Sequence, residues 1–369
     1  MNRLFKSIDC RSSQSGMTLV EILVALVISL VLIGSLIQIF IGNKLTYRTQ
    51  DNLSRIQESG RYAIDLLNQD IRMANYRGCA GSKPTTARNL LNVANMRWDF
   101  LNPIPVQGFN SPSSSWPTAL TGIGLASASV IAGTDVMTVR GPDTSNSGFI
   151  TTQTGNTGPL QIKQPISLNL QAQDVVMVAD CSDIAIFQIA TATPVVSGNL
   201  ATIDVTLVAN ASGATPGNST NDLKKLFDSA EVTRLTAKTY YIGTGASGQP
   251  ALFRLASGNT TAQELVEGIE NMQIRFGVDD GGVCGTGSSD DGFIDCYRSS
   301  DQINAATWPK VRSMQIALLI RSLENNLTPT NQPIAYNGGT VNDGAGGTPT
   351  DRRLRQVFTS TIGLRNQLR

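Results

Sequence analysis

The chain has 369 residues, a formal net charge of +1 and only 15% charged residues. That balance gives no electrostatic case for a nucleic-acid binder or a strongly basic membrane-surface protein. There is no histidine, which excludes Ser-His-Asp and Cys-His nucleophile pairs, His-ligated zinc and a histidine general base.

The length allows an N-terminal anchor followed by one large or two modest domains. Abundant Gly, Ser, Thr and Asn suit a β-rich, loop-heavy extracytoplasmic domain better than a helical cytosolic enzyme.

Residues 1–16 carry Arg3, Lys6 and Arg11 against Asp9, so this end should stay on the cytoplasmic side. Met17 to Ile41 follows as 25 apolar-rich residues, long enough for a tilted bilayer helix. A secretory signal peptide has a shorter core and a small-residue cleavage site after it; "IFIGNK" is a poor one. A plain transmembrane anchor accounts for everything except Glu21 and the break before Met17. An ionised carboxylate in an apolar helix is costly and calls for a partner.

At Gly16-Met17-Thr18-Leu19-Val20-Glu21 the sequence resembles the class III signal of type IV prepilins and type II secretion pseudopilins. The resemblance implies cleavage after Gly16 by a prepilin peptidase that also methylates the new Met17 amine. It implies that Glu21 pairs with the N-terminal ammonium of a neighbouring subunit during assembly. Many major pilins have Phe where this chain has Met17.

No proline occurs before Pro84. Leu53, Ile56, Gly60, Ala63, Ile64, Leu67, Ile71 and Ala74 recur largely at the helical period, with Leu45 before them. The anchor should continue as one amphipathic helix to about Ala74 or Tyr76, roughly 87 Å from Met17. Its apolar stripe requires a sheet to cover it. Gly34, Gly42 and Gly60 are candidate bends; the alternative is two helices joined near Gly42-Asn43. The expected layout is a leader at 1–16, a transmembrane segment at 17–41, a stem helix at 42–76 and a head at 77–369. This is an α+β, pilin-like lollipop: a long N-terminal helix packed on an antiparallel β-rich head.

Five cysteines are present, Cys10, Cys79, Cys181, Cys284 and Cys296. Four remain after leader removal, with three possible connectivities. We expect Cys79–Cys181 and Cys284–Cys296, because the second pair closes a short Gly/Ser/Asp loop. Such pairs imply an oxidising compartment.

Residues 81–133 read as long loops. Strand-like runs follow at 134–141, 174–180, 185–190, 201–209, 231–243, 251–256, 271–279, 311–322 and 353–368. "TAQELVEGIENM" (261–272) reads as including a short helical turn. Residues 210–222 and 325–351 read as mobile surface loops.

"TYYIGTGASGQPALFRL", "ELVEGIENMQIRFGVD", "DDGFIDCY", "WPKVRSMQIALLIRS" and "RRLRQVFTSTIGLRNQL" occur in this order. With them the chain resembles a PilW-type minor pilin, related to the J-type minor pseudopilin of type II secretion. The resemblance covers 16–79 and 231–369, and 80–230 only loosely. It implies a pilus-assembly role near the tip, with other minor pilins, the major pilin and a tip adhesin as partners. It also implies an inner-membrane anchor with a periplasmic head before export into an extracellular pilus. Exposed strand edges offer a way to join neighbours. The alternatives are a type II secretion pseudopilin and a membrane-anchored periplasmic binding module.

Asp279, Asp280, Asp290, Asp291 and Asp295 surround the Cys284–Cys296 loop, and hard oxygen ligands on a turn could hold Ca²⁺. The EF-hand pattern fails there, so a solvated acidic hairpin is the main reading, with Asp279, Asp290, Asp291 and Asp295 the weak calcium candidates. Glu264, Glu267 and Glu270, and likewise Arg352, Arg353 and Arg355, read as solvated faces. No phosphate loop or CxxC pair occurs. Nothing in the sequence earns an enzymatic label, and no cofactor is expected beyond that weak calcium candidate.

Overall fold

The computed structural model describes residues 16–81, 85–93, 96–101, 105–110, 118–143, 146–211, 213, 215–281, 292–331, 334–336, 339–340 and 351–367. The expected leader, with Cys10, lies almost wholly outside them, as do Cys284, Asp290 and Asp291.

One helix, α1, runs Leu19–Met73 without interruption at Gly42-Asn43. The chain divides into two compact units, up to Asp51 and from Asn52 onward. In the first, α1 has an 18-residue stretch of mean hydropathy 2.8 with no side chain buried. Its hydroxyls are satisfied within the helix: Ser29 donates to Ala25 O (2.7 Å) and Ser35 to Val31 O (2.9 Å). Where lipid offers no hydrogen bonds, that return to the backbone is what permits a hydroxyl.

In the second unit, α1 buries Asn52, Ile56, Gly60, Ala63, Leu67 and Ile71. Steps of three and four place these residues on one face. Leu53, expected on that face, is 40% exposed while Asn52 is buried. The helix stops at Met73, and Asn75 turns the chain with φ 59°.

The helical face is covered by two sheets. In the first, the 14-residue strand Glu231–Thr244 pairs with Val136–Pro142, Gly148–Gln153, Val175–Ala179 and Pro250–Ala256. The second is antiparallel throughout, in the order Cys296–Arg298, Ile269–Val278, Val311–Arg321, Arg355–Gly363. One core joins Ile56, Ala63, Leu67 and Ile71 of α1 to Met137 and Tyr240 of the first sheet and Ile274, Phe276, Met314, Leu318 and Ile362 of the second. Each fully buried aliphatic or aromatic side chain there contributes about 1.5–3 kcal/mol. The expected α+β organisation is therefore the observed one: in the second unit, the Asn52–Met73 part of the helix packs on a largely antiparallel β-rich head.

Three expectations are corrected. Residues 261–272 contain no helical turn; strands Gln263–Glu267 and Ile269–Val278 meet at Gly268, whose φ of 87° suits a sharp turn. Residues 81–133 are more than loop, with strands Thr86–Asn89 and Val106–Phe109 and a buried Trp98 and Phe100. Within 210–222, Asn218 is 2% exposed and receives the Gln188 N–H at 2.7 Å. Isolated polar runs gave no sign of this, because the partners lie on distant strands.

Candidate functional site

The N-terminal residues Gly16 and Met17 are exposed and precede α1. Thr18 stands at the N-cap: its Oγ1 accepts from Glu21 N at 3.4 Å, and its carbonyl accepts from the same N–H at 3.1 Å. Thr18-x-x-Glu21 is the spacing of a capping box. Glu21 is the one acidic residue of the first turn, where the helix dipole favours a negative charge. This local role coexists with exposure of its side chain. The sequence reading missed Thr18, although its three-residue spacing to Glu21 was the available signal.

Further along, α1 is fastened to the first sheet by charge. Asp70 accepts from Lys238 Nζ at 2.8 Å and from the Tyr240 hydroxyl. Burial, then the Asp70 charge and hydrogen bond, push the Tyr240 phenol well above its ordinary range. Just past the helix, the Tyr76 hydroxyl donates to Glu231 Oε1 at 3.2 Å.

Beside Tyr76, Cys79 and Cys181 are exposed free thiols close enough to interact. The interaction with Cys181, then desolvation, push the Cys79 thiol up to about 11. Cys296 is also a free thiol; its expected partner Cys284 lies outside the described residues.

The acidic hairpin turns its carboxylates toward the protein's own donors. Asp279, fully buried, accepts from Arg312 Nε (3.2 Å) and Gly292 N (3.0 Å). Asp295 accepts from Asp280 N (3.0 Å) and Gly281 N (2.7 Å), and Asp280 pairs with Arg298 at 2.6 Å. Asp279 is thus no solvated residue: two arginines supply positive charge where the calcium reading placed a cation. Among the described residues no group of three His, Cys, Asp or Glu is placed to hold a metal.

Two faces expected to be solvated instead meet each other. Glu270 takes Arg355 Nε at 2.7 Å and Arg321 Nη1 at 3.1 Å, and Arg355 also holds Asp351 at 2.6 Å. The Arg355 side chain is 1% exposed. Burial lowers its pKa, but the hydrogen bonds to Glu270 and Asp351 outweigh that and hold it above the ordinary range. Glu264 accepts from Ala246 N at 3.1 Å, and Glu267 from the Ser247 hydroxyl. These groups staple strands and turns; they form no acid–base pair.

The PilW family, described as type IV pilus-assembly protein W, matches residues 239–366. The prokaryotic N-terminal methylation motif matches residues 11–37. A solved type IV-like pilin from Thermus thermophilus is 14% identical, with 55% of this chain and 87% of that chain covered, at a TM-score of 0.22. No curated protein matches the chain. Residues 239–366 are therefore similar to the PilW family, and the N-terminal segment carries a methylation motif.

Proposed function

We propose that this PilW-domain chain is a minor pilin that helps initiate type IV pilus assembly and sits near the pilus tip. A prepilin peptidase removes residues 1–16, and the same enzyme methylates the Met17 amine. The anchor then holds the subunit in the inner membrane with its head in the periplasm. Assembly lifts it into a core of packed stems beside other minor pilins, the major pilin and a tip adhesin.

One observation carries this reading. Glu21 is the single charged residue between Leu19 and Ile41, at the start of a helical stretch whose apolar side chains are all exposed. For an isolated bilayer helix the cost of that carboxylate in the apolar phase outweighs its modest first-turn dipole gain. A helix that docks beside another gains an ion pair with the neighbour's Met17 ammonium in low dielectric.

The test is the mass of the native N-terminus together with Glu21→Val. Expected are a chain starting at methylated Met17, and a variant that is processed and membrane-bound yet absent from sheared pili. An intact Met1, or normal piliation in a strain carrying only the variant, would overturn the reading. Recovery of the wild type with sheared pili, and not in the envelope alone, separates a pilus subunit from a type II secretion pseudopilin.

We further propose that Cys79 and Cys181 are joined as a disulfide in the periplasm. Their contact in the fold supports it, and an oxidising compartment drives it.

A further inference from the structure

We propose that the free edge of the C-terminal strand Arg355–Gly363 receives an extended segment of a neighbouring pilin-like subunit as an added β-strand. The proposal rests on the minor-pilin reading above.

The strand pairs antiparallel with Val311–Arg321 from Arg355↔Arg321 to Gly363↔Ser313. Leu364 N donates to Arg312 O, and Ser322 N donates to Leu354 O, at the two ends of the same register. Even-numbered residues therefore carry the ladder, and hydrogen bonding alternates along an antiparallel strand. The N–H and C=O groups of Val357, Thr359, Thr361 and Gly363 point outward. Among the described residues none has another hydrogen-bond partner.

Such an edge is a template for another chain unless it is shortened, charged or interrupted. The other edges of these two sheets are treated in those ways, and Val106–Phe109 is shortened to four residues. Thr191–Ser197 carries Pro194 at an outward position, where the missing N–H breaks the row. Gln263–Glu267 is five residues long with Glu264 and Glu267. Thr86–Asn89 and Cys296–Arg298 have four and three residues and carry Arg88 and Arg298. Residues 356–363, "QVFTSTIG", hold neither charge nor proline. An edge left open where the rest are closed is one that is used.

The occupant follows from charge and direction. Beyond Gly363, Arg365 and Arg72 line a groove with Asp65 and Gln69. Among the described residues neither arginine is in an ion pair. An uncharged segment with an acidic residue where it passes Arg365 complements this run. Antiparallel pairing with a second copy does not fit. Gly60 lies against Phe358, Asn68 bonds Ser360 and Ala74 bonds Asn366, so helix and strand run the same way. Antiparallel self-pairing would turn the two copies' Asn52–Met73 segments in opposite directions, whereas subunits of one filament keep them parallel.

The test co-expresses the full chain in membranes with each other pilin-like subunit of its own system and measures binary affinity. Thr359→Pro with Thr361→Pro removes two outward N–H groups that the fold does not use. Expected are at least tenfold weaker binding to a subunit the wild type holds, and unchanged processing and melting. Thr359→Lys with Thr361→Lys should weaken binding in the same way without altering the backbone. The Thr359 and Thr361 amides should exchange fast in the isolated chain and at least tenfold slower in the complex. Unchanged affinity in both variants overturns the proposal. So do amides already slow in the isolated chain, which would mean its own segment covers the edge, or self-association lost in the proline variant. A wild type that binds no pilin-like subunit overturns the minor-pilin reading as well; edge variants that bind normally beside a binding wild type overturn this inference alone.

Discussion

The Phe358 ring occupies the place a side chain at Gly60 would take: a Cβ built on Gly60 would lie 2.5 Å from Phe358 Cε2. The glycine is there so that the C-terminal strand can approach the stem. Gly60→Ala should therefore destabilise the fold by about 1–3 kcal/mol, the usual cost of overpacking. Phe358→Leu should recover part of that loss in the double variant. Denaturant unfolding of the four-member cycle reads both, and additivity would deny the contact.

Asp70 is the charge that fastens the helix to the first sheet. Asp70→Ala leaves Lys238 and Tyr240 without their shared acceptor in a largely buried place. It should cost about 3 kcal/mol, the usual result of breaking one side of a buried pair. Unfolding midpoints check this, and a loss under 0.5 kcal/mol, the range of an ordinary surface change, would show that the pair is solvated.

Thr18 and Glu21 separate the cap from the assembly role. Thr18→Ala removes the side-chain cap and should cost the helix about 1 kcal/mol while piliation persists. Glu21→Gln keeps the side chain's size and loses only its charge, and it should abolish piliation. Equal defects in the two strains would assign Glu21 to capping alone.

The adjacent Cys79 and Cys181 thiols predict a bridge closing a loop of about a hundred residues, worth roughly 2–5 kcal/mol. Non-reducing peptide mapping of periplasmically exposed protein should recover the 79–181 link. A Cys79–Cys296 peptide would refute it. Cys79→Ser should lower the unfolding midpoint only under oxidising conditions.

Asp351 predicts a pH dependence. Burial raises its pKa, but the Arg355 hydrogen bond and charge outweigh that and hold it below the ordinary carboxylate range. A depressed folded-state pKa stabilises the protein above the unfolded value, near pH 4, and the contribution is lost as pH falls through the folded value. Asp351→Asn should be less stable than wild type at neutral pH, with the gap closing below about pH 4. Melting curves across that range decide it, and a constant gap would remove Asp351 from the linkage.

Much of the fold is legible in local pattern. The apolar run after Gly16 and the three-and-four spacing from Ile56 to Ala74 announce one helix, because helical periodicity is written within a few residues. Alternating runs such as 231–243 and 311–322 announce strands for the same reason, and the observed strands match them closely. Glu270 and Arg355 show the limit. Each reads as a solvated charge, yet they form a buried pair across 85 residues of sequence. Residues 261–272 read as including a short helical turn, and Gly268 instead divides them between two strands once neighbours offer ladders.

By itself, then, the sequence determined the long apolar helix, the N-terminal methylation motif, the amphipathic stem and the β-rich character of the head, all carried by residues near one another in the chain. Only the tertiary structure decided which carboxylates are buried and why Gly60 has no side chain. It also decided which strand edge stays open. Those depend on pairings between distant strands, and no local pattern encodes the neighbour a strand lacks.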